Sequence, residues 1–339
     1  MMRHVVSGLV AAAFASAAMA QQPDPFGRQF IPSERNHGIA WAPNDRLAFL
    51  GQKLFFDARL SGTGTTACAS CHDPSYAFAE PRRVSISDSG QHGRRNAPSL
   101  LDVGFLPTLM WDGRFHTLEQ QAVSPFQRGE MGIGVDQAVL RMRSDPQYVQ
   151  LFRAALGRSP AADGMARALA AFQRTLFSPA SRVDRFLVNK EAAILTPLEQ
   201  HGFYVFTHRA PCSNCHQLFP IRPDGRESSR PLLTDFRFHN LGVGYRFGGF
   251  SDTGRYALSR LNPDWGTFRT PSLRNSAKTP PYMHDGSLAT LEEVVEFYSA
   301  GGQPNPNLSP LIRPLFLDGY EKAALVGFLR ALSDPDCEC

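Results

Sequence analysis

The stretch Cys68-Ala69-Ser70-Cys71-His72, with its counterpart Cys212-Ser213-Asn214-Cys215-His216, decides how the chain is read. Each is a C-x-x-C followed at once by His. In that arrangement two thiols form thioethers to porphyrin vinyls, and the adjacent imidazole becomes an axial iron ligand. The competing readings are a zinc site or a disulfide. Zinc needs four ligands brought together across 144 residues, and it leaves the immediate His of both copies unexplained. Two such motifs in one chain therefore point to two covalently bound c-type haems, one on His72 and one on His216.

Working outward, the motif is part of a larger repeat. Sliding the chain against itself by 173 residues aligns Asn96 to Pro125 with Arg269 to Tyr298 without a gap, and ten of the thirty positions are identical. The shared pattern is P-S-L, then M-x-D-G, then T-L-E, beginning at Pro98 in one copy and Pro271 in the other. Each copy follows one C-x-x-C-H, so two related units are expected, the second with 29 extra residues between motif and segment.

With 339 residues, 42% hydrophobic and 19% charged, the chain has the composition of a folded soluble protein of about two domains. Collagen-like, coiled-coil and disordered classes are excluded. Thirty-five basic against 31 acidic residues leave a formal +4, too small an excess to suggest a nucleic-acid or anionic-membrane surface. Arg3 and His4 precede an apolar run from Val5 to Met19, and Ala18-Met19-Ala20 is an A-x-A cleavage site, so residues 1–20 read as a secretory signal peptide. Cleavage after about Ala20 and export to the periplasm are expected, and no later segment is long and apolar enough to span a bilayer.

The remainder reads as mainly α, with long irregular Gly/Pro-rich loops. Asn44 is placed to cap a helix through Leu47, Leu50 and Leu54. Thr196 with Glu199, Thr290 with Glu293 and Asp318 with Glu321 form capping boxes, and Met165 to Leu176 is helical in pattern. No run of alternating strands is evident.

What each haem does depends on its other axial face, and the repeat compares the two faces. After Thr290 the apolar stripe Leu291, Val294, Val295 and Tyr298 turns Tyr298 inward, whereas its equivalent in the first unit is Pro125, which has no atom able to bind iron. One site is thus expected closed and the other open to a small oxidant. Tyr298 also reads as an ordinary buried tyrosine, and Met283 is a rival ligand, although its equivalent Met110 suggests a shared packing role. Near the open face, Glu130 is a candidate to move a proton between peroxide oxygens, and Gln121 to hydrogen-bond the oxidant. Trp111, which replaces His284 in the repeat, is either core or a carrier of electrons between the haems.

The paired motifs, Arg95-Asn96-Ala97-Pro98-Ser99, Trp111-Asp112-Gly113-Arg114, Gly129-Glu130-Met131-Gly132, and Arg269-Thr270-Pro271-Ser272-Leu273-Arg274-Asn275 through Tyr282-Met283-His284-Asp285-Gly286 resemble the bacterial di-haem cytochrome c peroxidase and MauG family. The likeness runs from about Leu47 to Leu332. It implies two cytochrome c-like domains, taken as residues 21–180 and 181–339, each with one covalent haem: a peroxidatic haem on His72 and an electron-transfer haem on His216. It further implies Trp111 as the relay, and Gln121, Pro125 and Glu130 as the distal pocket. A calcium ion held by the Asn96 side chain and the carbonyls of Thr279 and Pro281 also follows from it.

Two positions separate subgroups. Where conventional members place Met on the second haem, this chain has Tyr298, similar to the tyrosinate ligand of MauG; a hard anionic ligand lowers the haem potential. Many conventional members also carry, 16 residues after the first ligand His, a His that blocks the iron until reduction; here that position is Asp88, with His92 four residues off. A site open without activation is therefore expected. The resulting reading is a MauG-like peroxidase that takes hydrogen peroxide and oxidises a protein partner at long range. The alternatives are a peroxidase fed by a cytochrome c or cupredoxin, and a two-haem electron carrier. Cys337 and Cys339 remain outside this scheme as an idle or disulfide-paired tail, a soft-metal site or an intermolecular bridge.

Overall fold

The computed structural model of the protein describes residues 45–178 and 180–333. The expected signal peptide, Asn44, Cys337 and Cys339 lie outside the described residues. Helix α1 (Arg46–Phe56) is capped by Asp45, one residue later than expected, whose carboxylate accepts from the N–H groups of Leu47 and Ala48 at 2.9 and 3.2 Å. It is followed by α2 (Leu118–Ala122), α3 (Ser124–Arg128), α4 (Val135–Ser144), α5 (Pro146–Leu156) and α6 (Ala162–Gln173). The last of these covers most of the helical pattern read from Met165, with residues 174–176 turning out of it.

The second half contains α7 (Arg182–Val188), α8 (Pro197–Tyr204), α9 (Tyr256–Ser259), α10 (Leu291–Ser299) and α11 (Gly319–Ala331). The three capping boxes open α8, α10 and α11 as expected. Four strands of two residues each pair antiparallel: β1 (Phe238–His239) with β4 (Phe268–Arg269), and β2 (Tyr245–Arg246) with β3 (Gly249–Phe250). The class is mainly α, and no helix among the described residues is long and apolar enough to cross a membrane.

Buried apolar side chains fall into two clusters, one drawing on residues from Leu50 to Leu176 and the other from Val183 to Leu332. Each is organised by one close helix pair, and the two pairs are built alike. A Cβ on Gly51 of α1 would stand 1.9 Å from the Ala168 carbonyl oxygen and 2.8 Å from Phe172 Cβ of α6. One on Gly202 of α8 would stand 2.0 Å from the Ala324 oxygen and 2.8 Å from Phe328 Cβ of α11. Only glycine lets either pair approach so closely. Four residues further on, Phe55 packs on Phe172 with ring centroids 5.1 Å apart, and Phe206 packs on Phe328 at 5.0 Å.

Candidate functional site

Each C-x-x-C-H folds as one tight turn. The N–H groups of Cys71 and His72 both donate to the Cys68 carbonyl (3.2 and 3.0 Å), and those of Cys215 and His216 to the Cys212 carbonyl (3.2 and 2.9 Å). The turn gathers two sulfurs and an imidazole, and neither cysteine pair is a disulfide. Burial pushes the thiols of Cys68 and Cys212 up to about 12 and that of Cys71 up to about 11, so they remain protonated at neutral pH. Zinc bridging the two motifs finds no support. Among the described residues, the group able to hold a metal is Cys215 with Asp235 and His239, which takes nothing from the first motif.

The histidines of both motifs are held in the same way. His72 Nδ1 lies 3.1 Å from the Phe78 carbonyl oxygen and His216 Nδ1 lies 3.0 Å from that of Leu233, so in each ring Nδ1–H donates and Nε2 keeps a lone pair for iron. Phe78 and Leu233 both adopt left-handed backbone (φ 56° and 50°), a conformation costly for bulky residues, in presenting these carbonyls. Burial is the main influence on both imidazoles and keeps them neutral. The carbonyls of Pro98 and Pro271, equivalent in the repeat, also act on His72 and His216 respectively. That contact gives the P-S-L element of the repeat a purpose. The residues present therefore fit two haems.

The helices of the repeated segment differ between the halves. Helix α10 runs unbroken from its Thr290 cap through Tyr298. In the first half the equivalent stretch is interrupted between α2 and α3, with Pro125 in the first turn of α3. Proline has no N–H for the intrahelical ladder, so it suits the start of a new helix. The Tyr298 side chain is half-buried and its phenol pKa is raised, first by desolvation and then by the Cys215 and Cys212 thiols. Its hydroxyl has no hydrogen-bond partner among the described residues. Met110 and Met283 share a left-handed backbone (φ 68° and 70°) at the same turn of the repeat.

Gln121 and Pro125 are half-buried, and Glu130 is exposed, one residue beyond the left-handed Gly129. The loop carrying Glu130 is tied down by a residue whose role the sequence did not reveal. The Asp88 N–H donates to the Glu130 carbonyl at 2.8 Å, while the Asp88 carboxylate accepts from the N–H and hydroxyl of Thr63, both at 2.7 Å. Desolvation pushes this carboxyl up, but the bonds from Thr63, Thr66 and Ser61 outweigh it and hold it at about 2. Gly62 and Gly132 lie so close that a Cβ on either would stand 2.9 and 2.4 Å from Asp88 Oδ2.

The halves meet along the repeated segment. The Asn96 N–H donates to the His284 carbonyl and the Arg269 N–H to the Trp111 carbonyl, both at 2.8 Å. Trp111 Nε1–H donates to the Asn96 carbonyl at 2.8 Å, and the His284 ring stacks on Phe268 with centroids 3.6 Å apart. Both hydrogens of the Asn96 side-chain amide go to the Glu80 and Arg82 carbonyls (3.0 and 2.9 Å), which leaves Oδ1 as its free acceptor. Thr279 and Pro281 are half-buried in the segment leading to His284. Sequence reasoning also missed His239, which Asp235 (Nε2 to Oδ2, 2.8 Å) and then Cys215 push up to about 9.

Two C-x-x-C-H turns with oriented imidazoles, the second of them near the Tyr298 phenol, fit a di-haem oxidoreductase. The family model described as di-haem cytochrome c peroxidase matches residues 45–192. The chain is 36% identical over 322 residues to cytochrome-c peroxidase IdrP1 of Denitromonas iodatirespirans, covering 85% of this chain and 81% of that protein. It is 35% identical over 286 residues to the methylamine utilization protein MauG of Methylorubrum extorquens, covering 84% and 77%. A solved MauG-like protein associated with microbial copper homeostasis superposes with a TM-score of 0.77 at 35% identity, covering 87% of this chain and 91% of its own. The protein belongs to the di-haem cytochrome c peroxidase and MauG family.

Proposed function

We propose that the protein is an exported MauG-like peroxidase that reduces hydrogen peroxide at the His72 haem and passes the oxidising equivalents by way of Trp111 to the His216/Tyr298 haem, which oxidises a protein partner. The observation that carries this reading is the half-buried Tyr298 hydroxyl, near Cys212 and Cys215 and without a hydrogen-bond partner among the described residues. Cys68, Cys71 and His72 would hold one haem, and Cys212, Cys215, His216 and Tyr298 the other. The haem irons, when bound, would supply the redox chemistry.

The chain's own residues do the rest. Reduction of peroxide to two waters consumes two electrons and two protons, and a proton must move from the near to the far oxygen as the O–O bond breaks. Glu130 is assigned that transfer and Gln121 the orientation of the oxidant. Pro125 keeps the facing position free of any ligating atom. Trp111, fixed through its indole N–H to the Asn96 carbonyl, offers an oxidisable ring at the contact of the halves. Asn96 Oδ1 with the carbonyls of Thr279 and Pro281 would bind calcium through oxygen alone. The two apolar clusters support domains at residues 21–180 and 181–339.

A second reading, a peroxidase that takes electrons from a cytochrome c or cupredoxin, is favoured by the name of the 36%-identical relative. A passive electron carrier is opposed by Pro125. EPR and optical spectra of the ferric protein, followed by peroxide with and without reduced cytochrome c, separate them. One high-spin and one low-spin haem, reacting with peroxide before any reduction, support the proposal. Reaction only with reduced cytochrome present supports the second reading, and two inert low-spin haems overturn both.

A further inference from the structure

We infer that Arg269 is the built-in counter-ion of a haem propionate, holding a buried carboxylate beside Trp111 at the contact of the two halves. The inference rests on the di-haem reading and concerns a residue that reading does not use.

Arg269 is only 5% exposed. Three other arginines near this contact have carboxylate partners: Arg95 pairs with Asp112 and Asp252, both at 2.6 Å, Arg114 with Asp112 at 3.1 Å, and Arg274 with Asp102 and Asp184 at 3.1 and 2.6 Å, while Arg83 is exposed to solvent. Arg269 has none among the described residues. Its Nε–H donates to the Met110 carbonyl at 3.4 Å and an Nη1–H to the Thr270 carbonyl at 3.2 Å, and Nη2 has no acceptor. Desolvation alone acts on the guanidinium and lowers it to about 10, so it is still charged at neutral pH. A buried cation without a counter-charge costs several kcal/mol. Folded proteins satisfy such a group with a buried anion.

The chain places that anion site at the cofactor. Two residues after Arg269 comes Pro271, whose carbonyl acts on the His216 imidazole. The Arg269 N–H is fixed on the Trp111 carbonyl at 2.8 Å, and its Cα pairs with Phe238 across β1 and β4. The guanidinium is therefore rooted between the relay tryptophan and the second attachment turn. A c-type haem carries two carboxylates and must bury or expose each of them. The repeat equivalent of Arg269 is Asn96, whose free Oδ1 suits a bound cation, so equivalent positions supply positive charge in two ways: a guanidinium in one half and a recruited ion in the other.

The test uses the holoprotein, with covalent haem content measured first so that failure to carry two haems is seen as failure of the di-haem reading. Arg269→Gln keeps hydrogen-bonding capacity and removes charge; Arg269→Lys keeps charge. Removing positive charge beside the haem disfavours the added electron. Arg269→Gln should shift the one-electron reduction equilibrium of one haem toward the oxidised form by at least tenfold, equivalent to 59 mV, with Arg269→Lys close to wild type. Unchanged midpoints in Arg269→Gln, or equal shifts in both variants, would overturn the proposal. Should Arg269→Gln fail to fold, a crystal structure of the wild-type holoprotein decides instead. A propionate oxygen in hydrogen-bond range of Arg269 supports the assignment, and all propionates out of range, or another anion on the guanidinium, overturn it.

Discussion

The backbone N–H of Asn96 donates to the carbonyl of His284, 2.8 Å away, and the bond has an image in the same interface. Arg269, the repeat equivalent of Asn96, donates at 2.8 Å to Trp111, the repeat equivalent of His284. The correspondence extends to Arg83, which donates to the Asp285 carbonyl at 3.2 Å, and Arg255, which donates at the same distance to the carbonyl of the equivalent Asp112. This reciprocity is the signature of an isologous contact, here between two halves of one chain. In such a contact a point of one half meets a different point of the other, and the same pairing recurs with the halves exchanged, so Trp111 and His284 hold equivalent places and function departs from symmetry only where the side chains differ.

Tyr298 is where that departure is most easily measured. Replacing it by Phe deletes one oxygen and leaves a ring of the same shape on α10. Only the low-spin signal assigned to the His216 haem should change in the EPR spectrum, with the high-spin signal retained. An unaltered spectrum would transfer the ligand role to Met283 or another group.

Glu130 should be needed for the reaction of peroxide and not for the structure around it, since it is exposed and its backbone carbonyl, not its carboxylate, is bonded to Asp88. Glu130→Gln is expected to slow the reaction of the ferric protein with peroxide by roughly 10²- to 10⁴-fold in stopped-flow absorbance, with the high-spin EPR signal preserved. A rate within threefold of wild type would remove Glu130 from the mechanism.

The helical class and the capping boxes were legible because each rests on short-range patterning. The extent of the duplication was not. Gly51 and Gly202 are 151 residues apart, Cys68 and Cys212 are 144, and Pro98 and Pro271 are 173, so no single offset exposes the likeness of the α1/α6 and α8/α11 pairs. Asp88 and Arg269 escaped for another reason. A lone acid or arginine carries meaning only through what faces it: two close glycines and Thr63 for Asp88, and the lack of any carboxylate for Arg269.

Asp88 should stabilise the loop carrying Glu130 only while ionised. Its folded value of about 2 lies below the ordinary 3.8, so its contribution is fully present above 3.8 and is lost as pH falls from there through about 2. Comparing wild type with Asp88→Asn in urea unfolding should show a difference that is constant from neutral pH down to about 4 and shrinks toward pH 2. A difference that persists undiminished at pH 2 would mean that shape, not charge, holds the loop.

The paired glycines give a prediction for each core. At position 202 an added methyl would meet the backbone oxygen of Ala324, and at position 51 that of Ala168, and neither atom is the movable end of a side chain. The helices must therefore separate, loosening Phe206 from Phe328 in one case and Phe55 from Phe172 in the other. Overpacking of this kind costs about 1–3 kcal/mol, against which the helix propensity gained from Gly to Ala, up to about 1 kcal/mol, is a partial offset. Gly202→Ala and Gly51→Ala should each lower the urea midpoint with little change in slope. Haem attachment needs only the local turn at each C-x-x-C-H, so both variants should retain two covalent haems. A Gly202→Ala protein as stable as wild type would show that α8 and α11 are not in the close contact on which the second core is built.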